Sequence, residues 1–525
     1  MSSRMRIFSV FFVMAALLVI VGMYQSWNVA FSILNLCVIS SIMALGVNVQ
    51  WGYAGLVNFG VMGFVAVGGL AGVIVSMPPV EAAWAAGGVQ LMGGFAVMGL
   101  VILAATIFWK KTAHLKNTPG KRYLGMALII ILGYALYRFI ADPAIDAPAF
   151  ADDVKIGVIL GYTGPIESLT PDMAAGAELA MKEVNDSGNF MNSMTVVPVR
   201  GDSTCIDAAV ATSAAERLIT ADGVSGIVGA DCSGVTTAIL SNVAVPNGMV
   251  MVSPSATSPA LSTVEDNGLF FRTAPSDARQ GVVMTEVIMD RGINEVAVTY
   301  TNNDYGLGLA DAFAAAFEAA GGTVTLVAAH EDGRADYSAE VGSLASAGGE
   351  ALVVAGYVDQ GGSGIIQAAL DTGAFDTFVF PDGMISQALT DNFGSDINGS
   401  FGQHPGTDSE GASVYEGLAE AAGIDGTSPF SKEAYDAAAL IMLAMQAAGS
   451  TAPGDYAGHI MDVANAPGTP ILPGQLGMAL ELIAAGEDVD YIGASAVELI
   501  GPGESAGAYR EIEIVDGEIA TAQFR

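Results

Sequence analysis

The sequence is poor in cysteine, histidine and basic residues, and each shortage narrows the possible functions. Its 525 residues include three cysteines and four histidines, none at a spacing typical of a metal site. No H-E-x-x-H or Walker A pattern occurs, so any ATP hydrolysis has to come from another subunit. Only 19 Lys and Arg stand against 54 Asp and Glu, which argues against nucleic-acid binding, because phosphates need cationic partners.

The three cysteines divide into one isolated residue and one pair. Cys37 lies in an apolar N-terminal stretch, whereas Cys205 and Cys232 each follow a short apolar run that is typical of a strand. Two cysteines left to each other in an α/β domain suggest one disulfide. A disulfide requires an oxidising compartment, so the pair predicts that this part of the chain lies outside the cytoplasm.

Charge is distributed very unevenly along the chain. Residues 1–141 carry eight Lys and Arg but only one acidic residue, which gives a formal charge of +7. Residues 142–525 hold the other 11 Lys and Arg and the other 53 Asp and Glu, which gives −42. Such asymmetry indicates two regions under different constraints. We interpret the acidity of the second region as a device for solubility in a salty medium rather than for storing cations.

The first region contains apolar runs long enough to cross a bilayer as helices. We predict five spans, at about residues 6–24, 29–48, 57–77, 88–109 and 122–141. The first could instead be a signal peptide, since Arg4 and Arg6 precede its apolar core.

Basic residues predict the orientation of these spans. Arg4 and Arg6 lie at the N-terminus, and a second basic cluster runs from Lys110 to Arg122. Five spans place both clusters inside and everything after residue 142 outside, in agreement with the disulfide. Four or six spans would instead place the acidic region in the cytosol.

In the second region, short apolar runs alternate with helical patterns, which predicts parallel sheets covered by helices. The predicted strands are Lys155–Leu160, Met194–Val199, Val224–Gly229, Met249–Ser253, Glu295–Tyr300, Thr323–Ala328, Ala351–Ala355 and Thr377–Phe380. The predicted helices are Pro171–Val184, Ile206–Ile219, Val235–Val243, Leu307–Ala320, Tyr337–Ala347 and Gly364–Thr372.

These strands are too many for one sheet, and the series restarts near Phe271–Pro275. We therefore predict an N-terminal all-α transmembrane domain over 1–141, a linker over 142–151 and a two-lobed α/β domain over 152–525. The first lobe is expected at about 152–272 and 402–480, and the second at about 273–401 and 481–525. Ligands bind beyond the carboxyl ends of such strands, which selects residues 161–169, 231–236, 253–258, 301–306, 356–361 and 381–384.

Several motifs of the second region resemble, in order, those of the type I periplasmic binding proteins for branched-chain amino acids, the receptors of ABC importers. They are Gly164-Pro165-Ile166, the cysteines 205 and 232, Ser253–Pro259, Phe271-Arg272-Thr273, Asp304–Gly308 and Glu433–Ala438. In the first region, Ala44–Gly60 resembles an early segment of the permease subunit of the same importers. The resemblance implies a receptor joined to a partial permease, with a separate permease and ATPase as partners.

The resemblance also implies which residues hold an amino-acid ligand. The Ser233 hydroxyl and the helix start that follows it would bind the carboxylate, with Thr257 as a second hydroxyl. Asp382 would bind the ammonium group, together with the loop Ser255-Ala256-Thr257. The alternatives are that Ser233 is only a helix N-cap and that Asp382 is only a turn residue before Gly383.

Aromatic and apolar residues are expected to complete the site. Tyr305 and Tyr357 would cover the ligand as the lobes close, or else provide ordinary interlobe packing. Leu169 aligns where relatives often carry a large aromatic residue, and Tyr162 lies near the same lip. No metal or cofactor is expected.

The sequence thus predicts a receptor of a bacterial inner membrane, whose C-terminal domain lies in the periplasm and traps a small amino acid by hinge closure. Two alternatives are a sensor that acts through a partner protein and a receptor for an amide- or urea-type ligand. An enzyme is not expected: Gly201-Asp202-Ser203 resembles a fragment of an esterase motif, but three residues are a weak signal and Ser203 lies two residues before the proposed disulfide.

Overall fold

The computed structural model describes residues 89–112, 123, 125–129, 132–133 and 153–525. The chain divides into two compact units, residues 1–148 and 149–525. In the first unit, helix α1 spans Val89–Lys111 and overlaps the predicted span 88–109. The predicted spans at 6–24, 29–48 and 57–77, the motif at 44–60 and Cys37 lie outside the described residues.

Among the residues that the structure describes, no helix combines the length and apolarity that crossing a bilayer requires. The five predicted spans therefore stay a prediction.

The described part of the second unit, residues 153–525, contains sixteen strands. They are β1 (Val154–Leu160), β2 (Val196–Asp202), β3 (Gly226–Gly229), β4 (Met251–Ser253), β5 (Phe270–Pro275), β6 (Glu295–Thr301), β7 (Thr323–His330), β8 (Ala351–Ala355), β9 (Phe378–Phe380), β10 (Phe401–Pro405), β11 (Thr469–Ile471), β12 (Val489–Tyr491), β13 (Leu499–Ile500), β14 (Glu504–Ser505), β15 (Tyr509–Val515) and β16 (Glu518–Phe524).

The helices alternate with these strands. They are α2 (Thr170–Ser187), α3 (Ala208–Arg217), α4 (Ser233–Ile239), α5 (Asp277–Asp290), α6 (Asp304–Ala319), α7 (Ser338–Ala347), α8 (Gly361–Thr372), α9 (Gln387–Phe393), α10 (Glu410–Ala422), α11 (Ser431–Ala448), α12 (Pro453–Tyr456), α13 (His459–Ala464) and α14 (Leu476–Ala484). A π-helical turn extends α3 to Asp222, and π- and α-helical turns extend α4 to Asn247.

Two seven-stranded sheets confirm the predicted two-lobed α/β fold. The first has the order β13-β14-β5-β4-β3-β1-β2, and the second has the order β16-β15-β10-β9-β8-β6-β7. Their central strands are parallel, and β1, β3 and β8 are buried along almost their whole length. Strands covered by helices on both faces are expected to be continuously apolar, which is why these runs were readable in the sequence.

The chain crosses between the lobes three times: after β5, after β10 and between β14 and β15. This differs from the predicted lobe limits at two places. Strand β10 belongs to the second sheet, so the crossing comes after Pro405 rather than at 401. Strands β13 and β14 belong to the first sheet, although the second lobe was predicted to begin again at 481. Both strands have only two residues and no long apolar run, and β13 forms the edge of the first sheet.

Helix boundaries differ from the predicted ones where a distant or flanking side chain caps the helix. Helix α6 begins at Asp304 rather than 307, because the Asn303 carboxamide accepts the Gly306 N–H at 3.0 Å. Helix α8 begins at Gly361 rather than 364, because Asp332 accepts the Gly361 N–H at 3.0 Å. The cap of α8 comes from another loop and has no local sequence signal.

Helix α11 forms the centre of the first lobe, and all its residues from Ser431 to Met445 are buried. A polar side chain in such a helix must find partners inside the protein. Asp436 accepts hydrogen bonds from the Tyr491 hydroxyl at 2.7 Å and from the Ala494 and Ser495 amides at 2.8 and 2.7 Å. The motif Glu433–Ala438 therefore has a structural role in holding the segment after β12.

The predicted disulfide between Cys205 and Cys232 is present, with Cα atoms 5.1 Å apart. It ties the loop after β2 to the residue immediately before α4. The bond is nearly inaccessible, since both cysteines are at most 5% exposed. It therefore fixes the start of α4, the segment that carries Ser233.

We predict that the double variant C205S/C232S unfolds with a free energy about 3–4 kcal/mol lower than the wild type, because the bond closes a 27-residue separation in the unfolded chain. Urea denaturation of both proteins measures the difference. Ser193→Ala, a surface hydroxyl, is the control. Equal midpoints for wild type and double variant would contradict the prediction.

Candidate functional site

The carboxyl ends of the central strands of both sheets face one cavity between the lobes. Its empty space amounts to about 330 Å³ when the open mouth is counted. Its lining comes from all six predicted loop segments, from α2 and from the residue before α11. The lining residues are Ile166, Leu169, Met173, Asp231, Cys232, Ser233, Ser255, Tyr305, Tyr357, Asp382, Gly383 and Phe430.

The first lobe contributes two hydroxyls to the cavity. The Ser233 Oγ accepts the Ser258 N–H at 3.1 Å, which leaves its own O–H available as a donor. Ser233 is the first residue of α4, and Cys232 occupies the N-cap position, so Ser233 is not the N-cap that the alternative interpretation required. The Ser255 hydroxyl donates to the Asp231 carbonyl at 3.1 Å.

Asp231 lines the cavity, but its carboxylate is hydrogen-bonded to other groups of the first lobe. Its carboxylate accepts the Gly161 N–H, the Ser203 hydroxyl at 2.9 Å and the Cys232 N–H at 3.0 Å. Burial raises the pKa of Asp231, and these hydrogen bonds oppose the rise. The residue therefore joins the ends of β1, β2 and β3, and the sequence analysis missed it because its role needs all three strands.

Ala256 and Thr257, two predicted site residues, lie next to the cavity but do not line it. The Ala256 carbonyl accepts a hydrogen bond from Arg272 at 2.9 Å. The Thr257 hydroxyl is buried and has no hydrogen-bond partner within the described part of the chain. Their sequence neighbour Ser255 is the member of this loop that reaches the cavity.

The second lobe contributes two stacked tyrosines. The rings of Tyr305 and Tyr357 lie 5.2 Å apart with an interplanar angle of 16°. The Asn303 carboxamide donates to the Tyr357 hydroxyl at 3.3 Å, and the Tyr305 hydroxyl donates to Asp382 Oδ1 at 2.5 Å. Each ring thus has a fixed orientation, and the pair forms an aromatic wall of the cavity.

Asp382 provides a buried carboxyl group on the same wall. It is 1% exposed and accepts the Tyr305 hydroxyl and, at 2.8 Å, the Gly383 N–H. Burial raises the pKa of Asp382, while these two donors lower it. Gly383 has no room for a side chain, since a Cβ atom there would lie 2.7 Å from the Gly356 carbonyl oxygen.

The remaining lining is apolar and includes a residue that the sequence analysis missed. Leu169 lies in the cavity as predicted, with Ile166 and Met173 beside it. Phe430 comes from a different part of the chain, immediately before α11, and has a left-handed backbone with φ of 65°. An aromatic residue before a helix is not unusual in sequence, so only the approach of α11 to the cleft reveals it.

Tyr162 is the predicted site residue that the structure does not bring to the cavity. Its ring lies under the Arg200 guanidinium, whose central carbon is 5.4 Å from the ring centre. This cation–π contact holds the side chain against β2 instead of the cleft.

Direct contacts hold the two lobes together beside the cavity. The Ser168 N–H donates to the Asp359 carboxylate at 2.8 Å, and the Asp359 N–H donates to the Pro165 carbonyl at 3.2 Å. The Ser168 hydroxyl also donates to the Ser386 hydroxyl at 3.2 Å. These bonds join the loop after β1 to the second lobe, so the structure is a closed form.

Two serines bear on the enzyme alternative. Ser203 is completely buried and donates to Asp231, so it offers no exposed nucleophile. A G-x-S-x-G pattern, Gly503–Gly507, places Ser505 in strand β14, and the chain continues into β15. A nucleophile elbow requires a sharp turn from a strand into a helix, so this pattern lacks the geometry. Among the described residues, no group of three or more His, Cys, Asp or Glu side chains is arranged to hold a metal ion.

Comparison with known proteins agrees with this geometry. A family model described as periplasmic binding protein matches residues 153–458. A Leu/Ile/Val-binding protein homolog of Brucella melitensis is 35% identical over 227 residues, which are 43% of this chain and 60% of that protein. A substrate-binding protein of the chemotactic signal transduction system of Halobacterium salinarum is 29% identical over 71% of this chain and 89% of that protein.

Among solved structures, a leucine-binding protein of Thermotoga maritima superimposes with a TM-score of 0.60 and 23% sequence identity. The match covers 71% of this chain and 98% of that one. At this identity the similarity establishes the fold, here the two-lobed arrangement of the second unit.

We predict that Asp382→Asn makes the unliganded protein more stable, and increasingly so as the pH rises. The pKa of Asp382 is higher in the folded protein than its usual value of 3.8. The stability that its protonated form contributes is therefore fully present below pH 3.8 and is lost as the pH rises through the folded-state pKa. Asparagine keeps an acceptor for Tyr305 and Gly383 without the buried charge. Thermal unfolding from about pH 4 to about pH 8 measures the effect. The exposed Asp391→Asn is the control, and a less stable D382N at the upper pH would contradict the prediction.

Proposed function

We propose a function from the premise that this chain belongs to the periplasmic binding protein family. The second unit is a receptor that traps a small amino acid, of the branched-chain or a similar aliphatic kind, between its lobes. Because each lobe supplies part of the site, the ligand stabilises the closed form by binding it more tightly than the open one. The receptor then delivers the ligand to a permease of an ABC importer, whose ATPase is a separate subunit.

The observation that carries this proposal is the opposite polarity of the two cavity walls. The first lobe presents the Ser233 hydroxyl at the start of α4, which suits a carboxylate. The second presents the buried Asp382 carboxyl, which suits an ammonium group. Leu169, Met173 and Phe430 add an apolar lining for an aliphatic side chain. A zwitterionic α-amino acid has all three of these groups.

The amino-acid class is also supported by relatives. The names of the Brucella protein and of the Thermotoga structure refer to Leu/Ile/Val and to leucine. The Halobacterium relative is named as part of a chemotactic signalling system, which favours a sensor acting through a partner protein as the second candidate function. Uptake of labelled ligand by cells separates the two, because a pure sensor binds its ligand without transporting it.

The proposal is tested by measuring the melting temperature of the full-length chain with leucine and with analogues that lack one of its charged groups. We expect L-leucine to raise the melting temperature, since a ligand that binds only the folded form stabilises it by RT ln(1 + [L]/Kd). 4-Methylpentanoate lacks the ammonium group and isoamylamine lacks the carboxylate, so neither should produce a comparable shift. Stabilisation by urea, acetamide or benzoate but not by any amino acid would refute the proposal.

Two variants test which residue binds the carboxylate and which binds the ammonium group of the ligand. Ser233→Ala should weaken leucine binding about tenfold or more, the usual value of a hydrogen bond to a charged group. Asp382→Asn should weaken it about 100-fold or more, because it removes a desolvated charge partner. Thr237→Ala, one turn further along α4, is the control, since its hydroxyl donates to the Ser233 carbonyl and does not line the cavity. Unchanged affinity in both site variants would contradict the assignment.

We further propose that residues 1–141 tether this receptor to the inner membrane and keep it near its transporter. Support comes from the long apolar runs in the sequence and from apolar side chains of the first unit that are exposed. Leu100, Leu103, Leu128 and Leu132 are each more than half exposed. Exposed apolar surface of this kind marks contact with a membrane or another protein. The permease-like motif at 44–60 suggests that the tether derives from a permease.

The tether places residue 525 outside the cytoplasm. A C-terminal epitope tag should therefore be removed by protease added to intact spheroplasts, while a cytoplasmic marker protein survives. The chain should also sediment with membranes after a wash in high salt. A tag that is protected until the cells are lysed would contradict the orientation, and release by salt would contradict the tether.

A further inference from the structure

A group of buried polar side chains lies beside Asp382 but outside the cavity lining. We call it the hinge cluster, and its members are Thr257, Asp277, Gln280, Gln403 and Tyr509. Each is at most 1% exposed, yet within the described part of the chain their side-chain oxygens and nitrogens have no well-aligned hydrogen-bond partner. Buried polar atoms without partners are rare and costly, which points to a function.

The hinge cluster lies where the chain passes between the lobes. Asp277 follows the first crossing as the first residue of α5, Gln403 precedes the second in β10, and Tyr509 follows the third at the start of β15. The Asp277 N–H donates to the Thr257 carbonyl at 2.8 Å, which ties α5 to the ligand-side loop of the first lobe. The cluster therefore connects the hinge with the proposed site.

Two carboxyl groups of this region, those of Asp277 and Asp382, are both buried and interact electrostatically. Burial raises the pKa of Asp277 well above its usual range, and the neighbouring Asp382 raises it further. The other ionisable groups that face Asp277 are Arg272 on β5, Tyr305 on α6 and Tyr509 on β15. Two such carboxylates cannot both be ionised without a cation to neutralise them.

Arg272 is the cation that faces Asp277, but its guanidinium is already engaged. Its Nη1 donates to the carbonyls of Ala256 and Ser258, both at 2.9 Å. Its Nη2 and Nε donate to the Glu504 carboxylate, and Nη2 also donates to the Ser262 hydroxyl. Glu504 therefore balances the charge of Arg272, and among the described residues no cation forms an ion pair with Asp277 or Asp382.

The hydrogen bonds decide which of the two carboxyl groups is ionised. Asp382 accepts from the Tyr305 hydroxyl and the Gly383 N–H, and donors of this kind favour the charged form. No hydrogen bond of that quality reaches the Asp277 carboxyl from the described residues, and Thr257 and Gln280 lie near the two carboxyls without good alignment. The proton of the pair therefore belongs on Asp277.

We propose that Asp277 stays a neutral carboxylic acid beside Asp382, so the pair presents a single negative charge to the cavity. This inference rests on the proposed function, because one charge matches the one ammonium group of a neutral amino acid. A second ionised carboxylate beside Asp382 would be a buried negative charge that the single ammonium group does not balance.

The state of the proton is tested without any ligand, by infrared spectroscopy of the full-length protein in D₂O at neutral pD. The wild type should show a C=O band of protonated carboxyl groups. In Asp277→Asn, the intensity of this band should be lower by the contribution of one carboxyl group. Glu433, whose pKa burial raises to about 8, contributes to the same band in both proteins and cancels in the difference. Asp172→Asn, on the surface-facing side of α2, is the control. An unchanged band in D277N overturns the proposal.

Affinity for L-leucine gives a second test. Because asparagine resembles the neutral acid, D277N should bind leucine within about threefold of the wild type, whereas D382N should lose about 100-fold or more. A loss in D277N as large as in D382N overturns the proposal. If D382N binds leucine normally, Asp382 does not bind the ammonium group, while the infrared result still shows whether Asp277 carries a proton.

The wild type itself supplies a test that does not depend on the folding of any variant. If Asp277 keeps its proton throughout, leucine binding at neutral pH transfers no net proton to the solvent. Calorimetric heats of binding should then be equal in phosphate and in Tris, two buffers with very different ionisation enthalpies. Heats that differ by the amount expected for about one released proton would show that the ammonium group displaces the proton, and would overturn the proposal.

Discussion

The burial of the Asp382 carboxyl group between the two lobes is the constraint on which the rest of the site depends. A buried charge without a partner is expensive, and the protein meets that cost only in part, through the Tyr305 hydroxyl and the Gly383 N–H. Neither donor carries a charge, and Arg272, the guanidinium nearby, is neutralised by Glu504. The closed site therefore favours a cationic group from outside, which is the physical basis for proposing an amino-acid ligand.

The architecture places this charge opposite a group of different polarity. Parallel strands of two sheets end at one cleft, so the start of α4 in the first lobe faces Asp382 in the second. The disulfide and Asp231 fix the first wall, and the stacked rings of Tyr305 and Tyr357 fix the second. Each wall is held by contacts within its own lobe, and three chain segments cross between the lobes. The unpartnered polar groups of the hinge cluster lie beside those crossings.

Much of the fold was predictable because it follows from local pattern. Continuous apolar strands such as β1 and β8 are recognisable in the sequence, since burial on both faces demands apolar residues at every position. The two-residue strands β13 and β14 at one end of the first sheet were not predicted, because pairing over so few residues leaves no distinctive composition. Of the predicted ligand residues, Ser233, Ser255, Tyr305, Tyr357, Asp382 and Leu169 line one cavity, Ala256 and Thr257 lie behind it, and Tyr162 lies elsewhere. Their roles in binding stay predictions.

The sequence by itself determined the class of fold, the division into two regions of opposite charge and the pairing of Cys205 with Cys232, because each depends on composition or on the local order of residues. Only the tertiary structure decided which groups share an environment. Phe430 joins the cavity through the packing of α11, and Asp277 meets Asp382 although more than one hundred positions separate them in the chain. Burial and electrostatic coupling depend on distance in space, and that distance is set by the path of the chain through both lobes.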